Sequence, residues 1–441
     1  MDVSGFMKKS FILITVFVAL ITLSACGDPT EGYLRQGDTY YDQGQFIEAI
    51  AEYTKALEKN PSLESAYTRR GAVYNARAEF DLAIADLTRA IQLNPNSAAN
   101  YLNRGFAYLA KGQYDPAIAD FDKTVALDPE AISAFTNLSW LYVHKSEWDK
   151  AIEAANKAIE LSPNSYDSYY NRAVAYYRQQ QFDKAVADFD ATLGINENLA
   201  PAYNYKGIIA LHSENYTAAM SAFEKALSID PDLAEAYKFR GFIYIKQQQP
   251  AKAIADLNKA IELEDTLAQA YYYRGYLHNA NQEWDKAMDD LNRALALGEA
   301  PGVATDSEMV DVPGMYLERA VSNRGKLQLN KAVEDVKKAI ELDPKNARSY
   351  GTLGETLLVN GDIEGGLAAL NKSIELDPNI PEVYLNRAAA YDVLAQLSKD
   401  TSYYSLMADD YRKVIKISQD KEQVDSAAAS IRYMQSKGYI Q

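Results

Sequence analysis

The chain has 441 residues, 48% of them hydrophobic and 24% charged, with a formal net charge of -16. Its length exceeds one ordinary globular core, so several domains or a repeat array are needed. Its apolar content excludes a disordered chain, its charged content excludes a membrane bundle, and its acidity makes nucleic acid an unexpected partner.

Residues 8–26 read KKSFILITVFVALITLSAC. Lys8 and Lys9 precede an uncharged apolar run from Phe11 to Ala25, which Cys26 closes. Its 15 residues fall short of the roughly 20 that span a bilayer, and small residues stand before the end, as in an export signal. The one cysteine cannot form an intrachain disulfide, so the fold must stand on packing. Gly27-Asp28-Pro29 follows as a polar tether. The Leu23-Ser24-Ala25-Cys26 ending resembles the bacterial lipoprotein signal. That resemblance implies cleavage after Ala25 and lipid on Cys26, with several acyl chains giving a stable anchor. Asp2 is out of place before such a signal, so Met7 competes with Met1 as the start.

The remainder is periodic. Pro61, Pro95, Pro129 and Pro163 are 34 residues apart, as are Pro344 and Pro378. Taking each proline as position 32 of a 34-residue repeat gives frames starting at 30, 64, 98, 132, 166, 200, 234 and 268, then at 313, 347 and 381. Position 4 is aromatic in all eleven frames, from Tyr33 and Tyr67 to Tyr350 and Tyr384, and position 8 is always small, as at Gly37, Gly105 and Gly207. Position 20 is Ala in nine frames and position 27 in seven. Positions 4, 8 and 11 share one face of a first helix, and positions 20, 24 and 27 share one face of a second. Small residues at 8 and 20 let the two helices approach, and proline ends the second. No such pair buries its faces alone, so neighbours must stack.

This skeleton resembles the tetratricopeptide repeat over residues 30 to about 420. The resemblance implies an all-α, right-handed superhelical solenoid of about eleven helix pairs, with a concave groove that binds peptides or proteins. The expected organisation is a signal at 1–25, a tether at 26–29, repeats 1–8 at 30–301, an acidic insertion at 302–312, repeats 9–11 at 313–421 and a capping helix and tail at 422–441. Repeat 11 carries about seven extra residues near Gln396 to Tyr403.

Position 7 is basic in eight repeats, which suggests an anionic ligand. Position 23 argues otherwise: seven repeats with Arg at 7 carry Asp at 23, among them Arg104 with Asp120 and Arg172 with Asp188. Repeats 4 and 10 lack both, with Leu138 and Ala154 or Leu353 and Ala369; only repeats 1 and 6 break the pattern. Such co-occurrence predicts structural ion pairs between the two helices of a repeat. At position 6, which faces the groove in this family, stand Asn103, Asn137 and Asn171, then Tyr205, Phe239 and Tyr273. A row of amides matches the donor and acceptor of a peptide backbone, with the aromatics beyond suited to side chains; asparagine that merely tolerates a solvated groove is the alternative. The family's two-carboxylate clamp has no matching set of three repeats.

The three histidines lie in separate repeats, and no phosphate loop, nucleophile elbow or metal cluster is present. No enzyme activity, cofactor, metal or small-molecule substrate is therefore expected. The expectation is a scaffold or adaptor for protein or peptide partners, lipid-anchored through Cys26 in a bacterial cell envelope, on the periplasmic face or cell surface. The alternative is a chaperone or pilotin-like factor holding exported clients.

Overall fold

The computed structural model describes residues 29–299 and 311–441, so the signal, Cys26 and most of the 302–312 insertion lie outside the described residues. Those described form 23 helices and their turns, with no strand among them. None of these helices is long and apolar enough to cross a membrane. The chain divides into two compact bodies, 1–197 and 198–441. Each is a stack of helical hairpins, one hairpin per repeat: Ala98–Ala110 with Tyr114–Leu127 in repeat 3, and Ala234–Lys246 with Pro250–Leu263 in repeat 7.

The hairpin core follows the repeat. Ala83, Ala117, Ala185, Ala219 and Ala253, all at position 20, are fully buried. At position 24, Tyr53, Leu87, Phe121, Phe189, Phe223, Leu257 and Leu291 fill the space beside them. The small residue at position 8 is a steric requirement: a Cβ on Gly105 would come within 2.8 Å of the Phe121 ring, and one on Gly207 within 2.6 Å of the Phe223 ring. Where repeat 4 has serine instead, the Ser139 hydroxyl donates to the Ala151 carbonyl at 3.0 Å.

The turn inside each hairpin has a second constant. Position 15 adopts the left-handed conformation in repeats 1 to 10, through Gly44, Gly112 and Gly361 and also through Ala78, Ser146, Gln180, Glu214, Gln248, Gln282 and Leu327. This residue closes the first helix. In repeat 3 the Gly112 amide donates to Leu109 and the Gln113 amide to Tyr108, both at 2.9 Å, so the last carbonyls are satisfied.

Repeat 9 opens with Val312–Gly325, capped by Asp311, which accepts from the Gly314 amide at 2.8 Å. Val312, assigned by its spacing to the insertion, is therefore the first helical residue. In repeat 11 the extra residues lengthen the first helix to Pro381–Ser398, and a left-handed Lys399 precedes Ser402–Ile417. The last helix, Lys421–Ser436, buries Ala427 and Met434 against repeat 11, with Met407, Tyr404, Tyr411, Tyr384 and Val414 in the same clusters.

Candidate functional site: the Arg–Asp array and the face of the first helices

Arg and Asp at positions 7 and 23 meet in all seven repeats that carry them, at 2.5–2.8 Å. Arg104 reaches Asp120 through Nε and Nη2, both at 2.8 Å, and Arg172 reaches Asp188 through the same atoms at 2.7 Å. The arginines lie 5.1–5.8 Å from the centre of the position 4 tyrosine ring, within cation–π range. The bonded Asp holds each guanidinium even further above its ordinary range.

The third guanidinium nitrogen makes a contact not anticipated from sequence. Nη1 of Arg70, Arg104, Arg172, Arg274, Arg319 and Arg387 donates to Thr54, Thr88, Asn156, Asn258, Asn292 and Asn371 at 2.6–3.1 Å. Each acceptor is position 25 of the preceding repeat, so one arginine ties two helices of its own repeat to the repeat before. A signal existed in the sequence: position 25 is Thr or Asn before each of these six arginines, and charged at Asp122, Asp190 and Lys337, where the next repeat lacks the arginine, and at Glu224, before Arg240, which bonds only Asp256 among the described residues. The array is occupied internally and presents no row of free cations.

The position 6 residues divide. Asn103 is half-buried, and its backbone carbonyl accepts from Asn75 at 2.8 Å. Asn137 is half-buried and donates to the Ser133 carbonyl of its own helix at 2.6 Å. Asn171 is 5% exposed and donates to the Thr136 carbonyl of repeat 4 at 3.3 Å. Tyr205 is buried, and Phe239 is buried and stacked on Phe223 at 5.7 Å between ring centres. Tyr273 is half-buried against Tyr272 and Phe242. The expected row of free amides followed by open aromatics therefore needs correction: Asn171, Tyr205 and Phe239 are packing residues, because the adjoining helices come close enough to cover them.

Side chains of the first helices also meet neighbours across repeat boundaries, some of them buried. Arg69, at position 6 of repeat 2, pairs with Asp38, at position 9 of repeat 1, at 2.9 Å. Asn204, at position 5 of repeat 6, donates to Glu235, at position 2 of repeat 7, at 3.0 Å. Trp140 and His144, at positions 9 and 13 of repeat 4, stack at 3.6 Å with Tyr114 edge-on to the indole at 5.8 Å.

Lys238 follows no column of the repeat. It is the only charged side chain at position 5 in the eleven repeats. It is 4% exposed, 3.9 Å from Glu235 and over the Phe239 ring at 4.1 Å. Burial pushes its ammonium below the ordinary lysine range, and Glu235 and Glu264 pull it back up. His278 bonds Glu283 at 2.5 Å, and among the described residues no group of three or more His, Cys, Asp or Glu could hold a metal ion.

Profiles of the tetratricopeptide repeat match 37–77, 73–112, 98–131, 141–180, 170–234, 234–267 and 336–368, together more than half of the chain. Among solved structures, the Cut9-Hcn1 hetero-tetramer of the APC/C is similar over 92% of this chain and 97% of that one, at 14% identity and a TM-score of 0.50. MamA is 29% identical over 38% of this chain and 92% of its own, with a TM-score of 0.36. YrrB, described as a TPR protein with an unusual peptide-binding site, is 24% identical over 42% of this chain and 95% of its own, with a TM-score of 0.39.

Proposed function

The chain belongs to the tetratricopeptide-repeat proteins, and from that premise we propose that it is a lipid-anchored scaffold of the bacterial cell envelope that holds protein or peptide partners along its first helices. The observation that carries this reading is the meeting of positions 2, 5, 6 and 9 of consecutive first helices, as in Arg69 with Asp38 and Asn204 with Glu235. Within each body, successive first helices thereby lie side by side, while the position 8 and position 20 contacts pack each hairpin and the arginine array ties it to the repeat before. The anchor rests on the apolar run ending at Cys26.

Crosslinking in native envelopes followed by mass spectrometry tests the scaffold. One partner set in fixed stoichiometry is the expected result; many unfolded exported clients would favour a holding chaperone instead. Fatty-acid labelling of cells tests the anchor, since the label should be lost in Cys26→Ser. Equal labelling of both forms would remove the anchor from the proposal.

A further inference from the structure

The lipid proposed at Cys26 is joined to the folded body by very little chain. Helix Pro29–Asp42 begins three residues after that cysteine, so Gly27 and Asp28 are the whole connection. The helix is held from its first turn, because Thr30 is 3% exposed and Leu34 packs in the core of repeat 1. The three steps from Cys26 to Pro29 reach at most about 10 Å when fully extended. The headgroup layer they must cross is itself about 5–7 Å thick on each side of a bilayer. The start of the helix is therefore kept within a few ångströms of the headgroup surface.

The packing of repeat 1 decides which edge arrives there. Gly37 lies against the Tyr53 ring, and the Tyr53 hydroxyl donates to Asp38 at 2.7 Å. In two antiparallel helices of equal rise, this contact sets Thr30 level with Asn60. The Asn60-Pro61-Ser62 turn accordingly stands at the height of the helix start. That turn is fixed: the Ser62 amide donates to Asn60 Oδ1 at 3.0 Å, and the Leu63 amide donates to the Asn60 carbonyl at 3.1 Å. Gln43, beyond the other end of the first helix, lies about 20 Å away along the axis. The exposed charged side chains of the near edge are Glu31, Glu58 and Lys59, which form no cationic cluster of the kind that draws a protein to anionic lipid.

We propose that repeat 1 rests edge-on against the lipid headgroups, through the first turn of Pro29–Asp42 and the Asn60-Pro61-Ser62 turn, held there by the shortness of the tether and not by charge. This rests on the Cys26 anchor of the reading above. The occupant of this edge is a membrane surface, so the edge is closed to partner proteins, which meet the chain elsewhere.

The test uses the full lipidated protein bound to phosphatidylcholine vesicles that carry a collisional quencher on their headgroups. Ser62→Cys and Gln43→Cys, both at exposed positions, each take a thiol-reactive fluorophore, since the sulfur of a lipidated Cys26 is already alkylated. The label on Ser62→Cys should be quenched at least fivefold more than the label on Gln43→Cys. A linker of roughly 20 Gly and Ser residues inserted after Asp28 frees the body by about 25 Å. It should cut the quenching of Ser62→Cys at least threefold while the protein still floats with the vesicles. Equal quenching of the two labels in vesicle-bound protein would overturn this inference and leave the anchor standing. Unchanged quenching of Ser62→Cys after the insertion would overturn it too, because surface affinity would then hold the edge. A chain that carries no fatty acid and does not float would overturn both the inference and the anchor.

Discussion

The clearest residue-level consequence concerns the arginine array. Arg172 and Asp188 are largely buried, with side-chain exposures of 18% and 9%. Removing one partner leaves an uncompensated charge, which costs about 3–5 kcal/mol, whereas replacing both with apolar groups is far milder. Repeats 4 and 10 already contain that replacement, as Leu with Ala. Arg172→Leu should therefore lower the urea midpoint strongly, and Arg172→Leu with Asp188→Ala should recover most of the loss; a double-mutant cycle checks this. A second prediction concerns Glu318, whose carboxyl burial pushes above its ordinary range, while Asn279 donates to it at 3.0 Å and Arg348 and Arg324 oppose the shift and Asp311 adds to it. A carboxyl raised in the folded state is disfavoured when charged, so stability falls as pH rises through its folded pKa, and the loss is absent below the unfolded value of about 4.3. Glu318→Gln should accordingly raise Tm at pH 7, by an amount that shrinks toward zero as pH falls to about 4, followed by thermal melts across that range.

At the scale of the element, two backbone constraints set the hairpin. Gly207 lets the helices of repeat 6 approach until a Cβ would stand 2.6 Å from the Phe223 ring, a closely packed aromatic on a fixed helix. Gly207→Ala should therefore destabilise by about 1–3 kcal/mol, the range for overpacking a core, measured as a shift in denaturation midpoint. The turn predicts the opposite sign. Leu327 is 80% exposed and left-handed at φ 58°, a conformation that costs an L-residue roughly 1–2 kcal/mol. Leu327→Gly should stabilise by about 1 kcal/mol. The glycines at position 8 were visible as a column of small residues. The left-handed column was not, because seven of its ten members carry side chains and share no composition.

At the scale of the whole molecule, each repeat rests mainly on its neighbours, so a local loss spreads only as far as neighbour contacts carry it. The helix Lys421–Ser436 covers Met407, Ala408 and Val414 of repeat 11. Deleting residues 421–441 should accelerate amide hydrogen exchange most in repeat 11, less in repeat 10, and not measurably in repeats 1 to 5. Uniform acceleration along the chain would contradict this neighbour-limited stability.

The sequence by itself determined the period, the helix pairs and the partners at positions 7 and 23, because these contacts form within one 34-residue repeat and recur at constant spacing. It also carried, unread, the position 25 acceptors one repeat away. Only the tertiary structure decided which residues of the first helices remain available. Asn137 and Asn171 occupy the same position, yet one bonds its own helix and the other the carbonyl of Thr136 in the preceding repeat. That Asn204 Oδ1 and Gln269 Nε2 are buried without a partner among the described residues is visible only once neighbouring helices are in place. Periodicity specifies which face a side chain occupies. Its burial and its hydrogen bonds depend on the sizes and polar atoms of the neighbouring repeats, and those vary from one repeat to the next.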